Sequence, residues 1–380
     1  MKKIRVLHVL NMLNNGGIEN LIMNMMRKID REKYQFCFAL IEHNPGHFDA
    51  EVKALGGEIY LFDNTEKSLK NYRKSLTRII RDYGPFDVVH SHCYFFSGYI
   101  LGIAKKCGVK VRIAHAHDTL KERAQTLPRR LYQQFMRMLI RINATNLVGC
   151  SASACRFVFG KDASFQVVVN GIDPDRFKFS KESRSLVRNE LGLADRHVFV
   201  HVGRFSAQKN HRYLLRVFQE YVKIDKHARL LLVGWGGLAN EIERWIEMLD
   251  LQNNVLMIGP CDAPERYYCA ADCFLLPSLF EGFGIVSVEA QCSGLPCILS
   301  NTVPRECKAL EYTWFIQTTD DDISQWVKTM ERAVLVSIER PKCAERIKGS
   351  VFDIETTVQI LAGVYSSAEH MGTGGQAVGE

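Results

Sequence analysis

The chain has 380 residues, 47% of them hydrophobic, with 49 Lys and Arg against 42 Asp and Glu. That length exceeds one ordinary core and calls for two domains, while no uninterrupted apolar run reaches the roughly 20 residues that a membrane-spanning helix needs. The charge is uneven: residues 1–170 carry 26 Lys and Arg against 14 Asp and Glu, a balance of +12, and the remainder carries 23 against 28, or −5. A basic first half points to an anionic partner.

In chain order, IRVLHVL reads as a strand rather than a signal peptide, and GIENLIMNMMRKI follows as a helix with Ile18, Leu21, Ile22, Met25, Met26 and Ile29 at helical spacing. YQFCFALI, EIYLF, FDVVHSH, VKVRIAHAH, NLVGC and FQVVV continue a strand series separated by helices and turns. Near residue 197 the pattern restarts with HVFVHVG, ARLLLVG, NVLMIG, CFLLP and PCILS. Short apolar strands alternating with helices predict two parallel sheets, each covered on both faces. NGIDPDRF at 170–177 carries the turn signals of an inter-domain connection, continued by the charged helix KESRSLVRNELG. Residues 353–368 read as a terminal helix, and 371–380 as a disordered tail. Twelve cysteines without a CxxC, many inside apolar strands, predict reduced, buried thiols in a cytosolic protein.

Two doubly wound domains imply a cleft, with ligands bound beyond the carboxyl ends of the strands. The residues just after each strand therefore carry the information. NNGGIEN follows the first strand, and Gly16-Gly17 allows close backbone approach before a helix N-terminus. Alone it reads equally well as a plain turn, and it is not the GxGxxG of nicotinamide enzymes. RFSAQKN follows HVFVHVG; Arg204 and Lys209 with the helix start near Asn210 suit a diphosphate. After CFLLPS comes EGFGIVSVEA, where Glu281 precedes a helix over Ile285 to Cys292 and Glu289 lies in its second turn. Gly282 and Gly284 leave room for a ligand, and a carboxylate in the apolar run IVSVEA calls for a partner.

These segments together resemble the retaining GT-B glycosyltransferases with an E-x7-E signature, in particular glycosyltransferase family 4. LLPSLFEGFGIVSVEAQCSGLPCILS is similar to the signature itself, VGRFSAQKN to the phosphate loop, VVVNGID to the hinge and GGIEN to the first glycine loop. The resemblance spans residues 1 to 365. It implies a GT-B fold: an acceptor-binding Rossmann-like domain over 1–170, a nucleotide-sugar-binding one over 171–355, and a helix over 356–370 packing back on the first. It further implies that Arg204 and Lys209 clamp the diphosphate, that Glu281 meets donor-sugar hydroxyls, and that Glu289 meets the ribose. Phe283, Gly284 and Ile285 would hold phosphates through their amides, Gly16 and Gly17 would admit donor sugar and acceptor, Ile258 and Gly259 would border the base, and His117 would lie near the donor sugar.

Three features compete with that assignment. HSH at 90–92 and HAH at 115–117 put four histidines at strand ends, a set that can chelate zinc. No cysteine or carboxylate reinforces it, so His90, His92 and His115 read as hydrogen-bonded strand caps or cleft lining, and no metal is assigned. DDD at 320–322 reads as the capped acidic start of a helix. Residues 121–142 mix six basic residues with Leu131, Phe135, Met138, Leu139 and Ile142, which suits either an interfacial helix on an anionic membrane or an ordinary helix packed on the sheet.

The chemistry implied is sugar transfer from a nucleoside diphosphate, a UDP-sugar, to a hydroxyl of a glycan or lipid-diphosphate-linked sugar, in exopolysaccharide or capsule assembly. Negative charge growing on the leaving diphosphate would meet Arg204, Lys209 and a helix N-terminus, so no cofactor is required. Retention without an evident protein nucleophile favours a same-face route. The rival readings are a sugar-nucleotide epimerase, a phosphorylase of the same architecture, and a non-catalytic nucleotide-sugar-binding partner of another transferase. Nucleic acid is disfavoured, because the basic residues are not interleaved with aromatics. The expected location is the cytoplasm, peripheral to the inner face of the membrane.

Overall fold

The computed structural model describes residues 2–42, 44–63, 68–117 and 126–370. Its contacts divide the chain into two units, one comprising Met1–Gly171 with the chain from Ile354 on, the other Ile172–Asp353. The chain thus passes between units at 171/172 and again at 353/354.

The first unit holds seven strands: β1 Ile4–Leu10, β2 Tyr34–Leu40, β3 Glu58–Leu61, β4 Val88–Ser91, β5 Val111–Ala116, β6 Asn146–Gly149 and β7 Gln166–Val167. They lie in the order β3-β2-β1-β4-β5-β6-β7, and every neighbouring pair is parallel. Strands this apolar are stable only when helices cover both faces. One face packs the helix Gly17–Lys28 through Leu21, Ile22, Met25 and Met26. The terminal helix Ile354–His370 joins the same core through Ile354, Val358, Leu361 and Tyr365. Thr357 ties it further by donating to the Val169 carbonyl at 3.0 Å. The segment FQVVV forms only the two-residue β7, whose residues are exposed. Residues 371–380 lie outside the described residues.

The second unit holds β8 Val198–Val202, β9 Arg229–Val233, β10 Val255–Gly259, β11 Cys273–Leu276, β12 Cys297–Ser300 and β13 Thr313–Ile316. The order is β10-β9-β8-β11-β12-β13, again parallel throughout. Its core packs Phe199, Leu230 and Leu232 against Leu214, Phe218 and Trp326. Strand β13 was not expected from the sequence; it lies at the sheet edge, and its middle residues Trp314 and Phe315 are only partly buried. The segment KESRSLVRNELG does not serve as a connection. It forms the helix Lys181–Glu190, capped by Ser180, and Arg184 and Arg188 bind Asp272 at 2.6 and 3.4 Å, which fixes the helix to the second unit. The DDD run starts the helix Ile323–Val334, with Thr319 and Asp322 forming a capping box and Asp320 paired to Arg216 at 2.5 Å.

All twelve cysteines are free and nine are buried. No described helix is long and apolar enough to cross a membrane.

In both sheets the connections run one way from the first strand and then reverse. The reversal falls between β1 and β4 in one unit and between β8 and β11 in the other. The loops leaving those strands diverge and open a crevice at the carboxyl edge, the usual ligand position in such sheets.

Candidate active site

In the second unit the loops after β8 and β11 are joined across that crevice. Lys209 ends the short turn Ala207–Lys209, and its Nζ donates to Glu281 Oε1 at 2.6 Å. Ser278 donates to the same oxygen at 2.6 Å. The two ion-pair side chains are only 12% and 8% exposed. Two more bonds zip the loops: Gln208 Nε2 to the Phe280 carbonyl at 3.0 Å, and the Leu279 amide to the Gln208 carbonyl at 2.8 Å. Lys209 thus comes preset, and among the described residues Glu281 takes one of its three N–H donors. Among the described residues no group reaches Glu281 Oε2, so one oxygen is held and one is open to a hydroxyl. Arg204 is exposed on the same loop and makes no ion pair among the described residues. Of the two expected cations, one is built into the loop and one is not.

Beyond Glu281, Phe283 is buried and Gly284 caps the helix Ile285–Cys292 at φ +85°, a left-handed conformation that favours glycine. Ser287 donates back to the Gly284 carbonyl at 2.7 Å. Glu289 does have a partner: Tyr268 OH donates to its Oε2 at 2.8 Å. Burial raises the Glu289 pKa to about 7, opposed by the Tyr268 bond and by the charges of Arg176 and Lys209. Tyr268 was not singled out in the sequence, because it lies in no motif and only the fold brings it to Glu289; Ser278 sits inside the signature stretch, three residues before Glu281, but was not assigned a role.

Ile258 and Gly259 end β10, both partly buried, with Gly259 at φ +83°. Its carbonyl accepts from the Gly234 amide at 2.9 Å. Gly234, unremarked in the sequence, carries the tighter constraint. Its φ is +145°, and a Cβ there would collide with the Gly203 carbonyl. Gly236 likewise presses on the Phe205 backbone. The run VGWGG directly after a strand was the available signal. These contacts stack the tip of β9 on the loop that carries Arg204.

In the first unit Gly16 caps the helix Gly17–Lys28. A Cβ on Gly16 would collide with the Glu19 carboxylate, whereas one on Gly17 would meet nothing within 4 Å. The helix N-terminus therefore already faces an acid of its own first turn, a favourable dipole contact.

His117 belongs to a five-histidine array. His8 on β1 lies in register with His90 on β4, and alternation puts His92, His115 and His117 on the same face. The rings bond to one another: His8 Nδ1 with His92 Nε2 at 3.0 Å, His92 Nδ1 with His117 Nε2 at 2.8 Å, and His90 Nε2 with His115 Nδ1 at 3.1 Å. His90 Nδ1 meets Tyr365 OH of the terminal helix at 2.9 Å. Burial keeps the rings neutral, pushing His8 and His117 down to about 3 and the other three well below the usual range. Two triads, His8-His90-His92 and His92-His115-His117, bring ring nitrogens within 4.8 Å of each other. Most of those nitrogens are already committed to a neighbouring ring. His8 was missed in the sequence because a lone histidine within IRVLHVL looks like a core residue.

The described part of the 121–142 segment forms the helix Leu127–Asn143. Its inward face is Gln133, Met136 and Ile140, while Leu127, Leu131, Phe135, Met138 and Ile142 are exposed, at 48–70%. The stripe that an ordinary packed helix would bury thus faces outward. Arg137 and Arg141 are used internally, donating to the carbonyls of Phe157, Val158 and Phe159. Arg129 and Arg130 have no ion-pair partner among the described residues.

The chain matches two family models that follow the two units: Glycosyltransferase Family 4 over residues 15–176, and Glycosyl transferases group 1 over residues 183–348. It is 34% identical over 372 residues to the putative glycosyltransferase EpsF of Bacillus subtilis, covering 95% of this chain and 96% of that one. It is 25% identical over 385 residues to the UDP-Gal:alpha-D-GlcNAc-diphosphoundecaprenol alpha-1,3-galactosyltransferase of Escherichia coli, covering 96% and 97%. Among solved structures, Anabaena Alr3699/HepE in complex with UDP superposes with a TM-score of 0.79 at 19% identity, over 96% of this chain and all of that one. That likeness makes the fold GT-B. With both units matched and a relative above 30% identity over nearly its whole length, the chain belongs to glycosyltransferase family 4, and the protein is a glycosyltransferase.

Proposed function

We propose that the protein is a retaining transferase that moves a hexosyl group from a UDP-sugar to a hydroxyl of a lipid-diphosphate-linked saccharide, a step in building a surface polysaccharide. The observation that carries this reading is the Lys209–Glu281 pair, 2.6 Å apart and almost buried at the switch point of the second sheet. It sets a cation for a departing diphosphate beside a carboxylate for sugar hydroxyls. Arg204 adds a second cation from the same loop, and Phe283, Gly284 and Ile285 lend amides at a helix start. Glu289 with Tyr268 takes the ribose, and Ile258-Gly259 borders the base. The second unit then grips the donor nucleotide, Gly16 and Gly17 of the first unit admit donor sugar and acceptor, and His117 serves the donor sugar. The lysine, the arginine and the amides supply the countercharge, so the reaction runs without a metal.

The E. coli relative is named for a UDP-Gal donor and a diphosphoundecaprenol-linked acceptor, and the HepE structure holds UDP; both support the choice of donor class. A lipid-linked acceptor also suits the basic first half and the exposed apolar stripe of Leu127–Asn143, which we read as contact with the cytoplasmic face of an anionic membrane. Thermal unfolding in the presence of UDP, GDP and their sugars tests the donor. UDP and UDP-hexoses should raise the midpoint and GDP should not. Stabilisation by GDP alone would reject the donor assignment. Turnover of the donor with no acceptor present, giving an epimer instead of free UDP, would replace transfer with epimerisation.

A further inference from the structure

The string His8–His92–His117 has a property that none of its rings has alone. Each neutral imidazole carries one N–H. The two ring-to-ring bonds at 3.0 and 2.8 Å therefore admit only two proton arrangements. In one, every N–H points from His8 toward His117, and the string ends in an N–H at His117 Nδ1. In the other, every N–H points back, and the string ends in an N–H at His8 Nε2. Both terminal nitrogens are buried and, among the described residues, lack a hydrogen-bond partner.

The two ends are not equivalent. His8 is 0% exposed at the centre of the sheet, beside Phe36 and Phe38, whereas His117 is only partly buried and stands just beyond the end of β5. A buried N–H without an acceptor is the costlier orphan. Among the described residues no acceptor reaches His8 Nε2. A ligand oxygen at the strand edge can reach His117.

We propose that His8 and His92 are positioning residues that hold His117 as its neutral Nδ1–H tautomer, a fixed hydrogen-bond donor to a sugar oxygen and not a base. The role toward sugar rests on the function proposed above; the tautomer does not. Nitrogen-15 spectra of the histidine-labelled full chain read the tautomer directly, without substrate. His117 should show a protonated Nδ1 and a bare Nε2 throughout about pH 6 to 8. A protonated Nε2, titration to the imidazolium within that range, or a stoichiometric metal ion in the purified protein would each overturn the assignment.

Transfer kinetics read the role. His92→Leu removes the donor to His117 Nε2 and should lower kcat about tenfold, the worth of one buried hydrogen bond, with KM for the nucleotide sugar unchanged. His92→Asn, whose amide can donate from the place of Nδ1, should regain most of the loss and restore the Nδ1–H signal. Equal rates in wild type, His92→Leu and His92→Asn would reject the positioning role. If the functional reading itself were wrong, wild type would show no transfer at all, while the spectra would still decide the tautomer.

Discussion

The two units share a doubly wound parallel sheet with one reversal of strand order, yet their carboxyl edges are chemically opposite. The first unit fills its edge with neutral imidazoles that bond to one another. The second fills it with an ion pair, a tyrosine-bound glutamate and glycines in restricted conformations. Topology decides where a ligand can sit, and the loop residues decide what it can be. Burial separates the two further: it strips charge from the histidines, whereas Lys209 and Glu281 lie against each other at 2.6 Å.

Breaking the charged edge should give the largest effect. Lys209→Met removes the cation facing the leaving group and should lower kcat about 10²- to 10³-fold. Glu281→Leu should be comparably damaging. The burial of this pair also predicts a cost to the fold. Each single variant strands a charge and should cost about 3–5 kcal/mol of stability. The Lys209→Met/Glu281→Leu double variant should recover much of that stability and none of the activity. Urea unfolding beside a transfer assay separates the two losses; full stability in both single variants would show that the pair is not buried in solution.

Glycine substitutions sharpen the contrast between the edges. Gly234→Ala forces a Cβ against the Gly203 carbonyl at φ +145° and should cost about 1–3 kcal/mol. Gly17→Ala meets open space and should change stability by less than about 0.5 kcal/mol. Thermal midpoints of the two variants make the comparison, and equal shifts would contradict the tight stacking at β9.

The third effect is a pH dependence confined to the second unit. The Glu289 pKa is raised by burial from 4.5 to about 7, so the folded state binds more protons than the unfolded state between those values. Its favourable contribution is complete below the unfolded pKa and is lost as pH rises through about 7. Wild type should lose stability relative to Glu289→Gln between about pH 5 and 8. A ribose hydroxyl donating to Glu289 favours the ionised form, so UDP should bind more tightly as pH rises across that range in wild type only. Calorimetric titrations at several pH values check this, and a parallel trend in Glu289→Gln would assign it elsewhere.

Much of this was legible in the sequence, and the misses share a cause. Short apolar runs alternating with helices located twelve of the strands, and residues such as Lys209, Glu281 and His117 stood out because each lies in the segment that follows one. What stayed hidden depends on distant partners. Tyr268 lies 21 residues before the glutamate it binds. His8 gains meaning only from its register with His90. Strand β13 pairs with β12 at the sheet edge, and the burial of Lys209–Glu281 is something a loop motif does not encode.

The smallest predicted effect tests the helix Leu127–Asn143, where the sequence left two readings open and the exposed stripe favours one. Sedimentation with vesicles containing anionic lipid should carry the wild-type protein down, less so at high salt. Arg130→Ala removes one exposed cation and should weaken binding about fivefold, near 1 kcal/mol. Leu131→Ser/Phe135→Ser removes apolar side chains already 58% and 54% exposed, so it should weaken binding further without lowering the unfolding midpoint. Arg137→Ala is the internal control: its guanidinium donates to the carbonyls that end the helix Ala152–Phe159, so it should cost stability more than affinity. If the serine variant unfolded early and still bound vesicles like wild type, the stripe would be part of a protein core and not a membrane face.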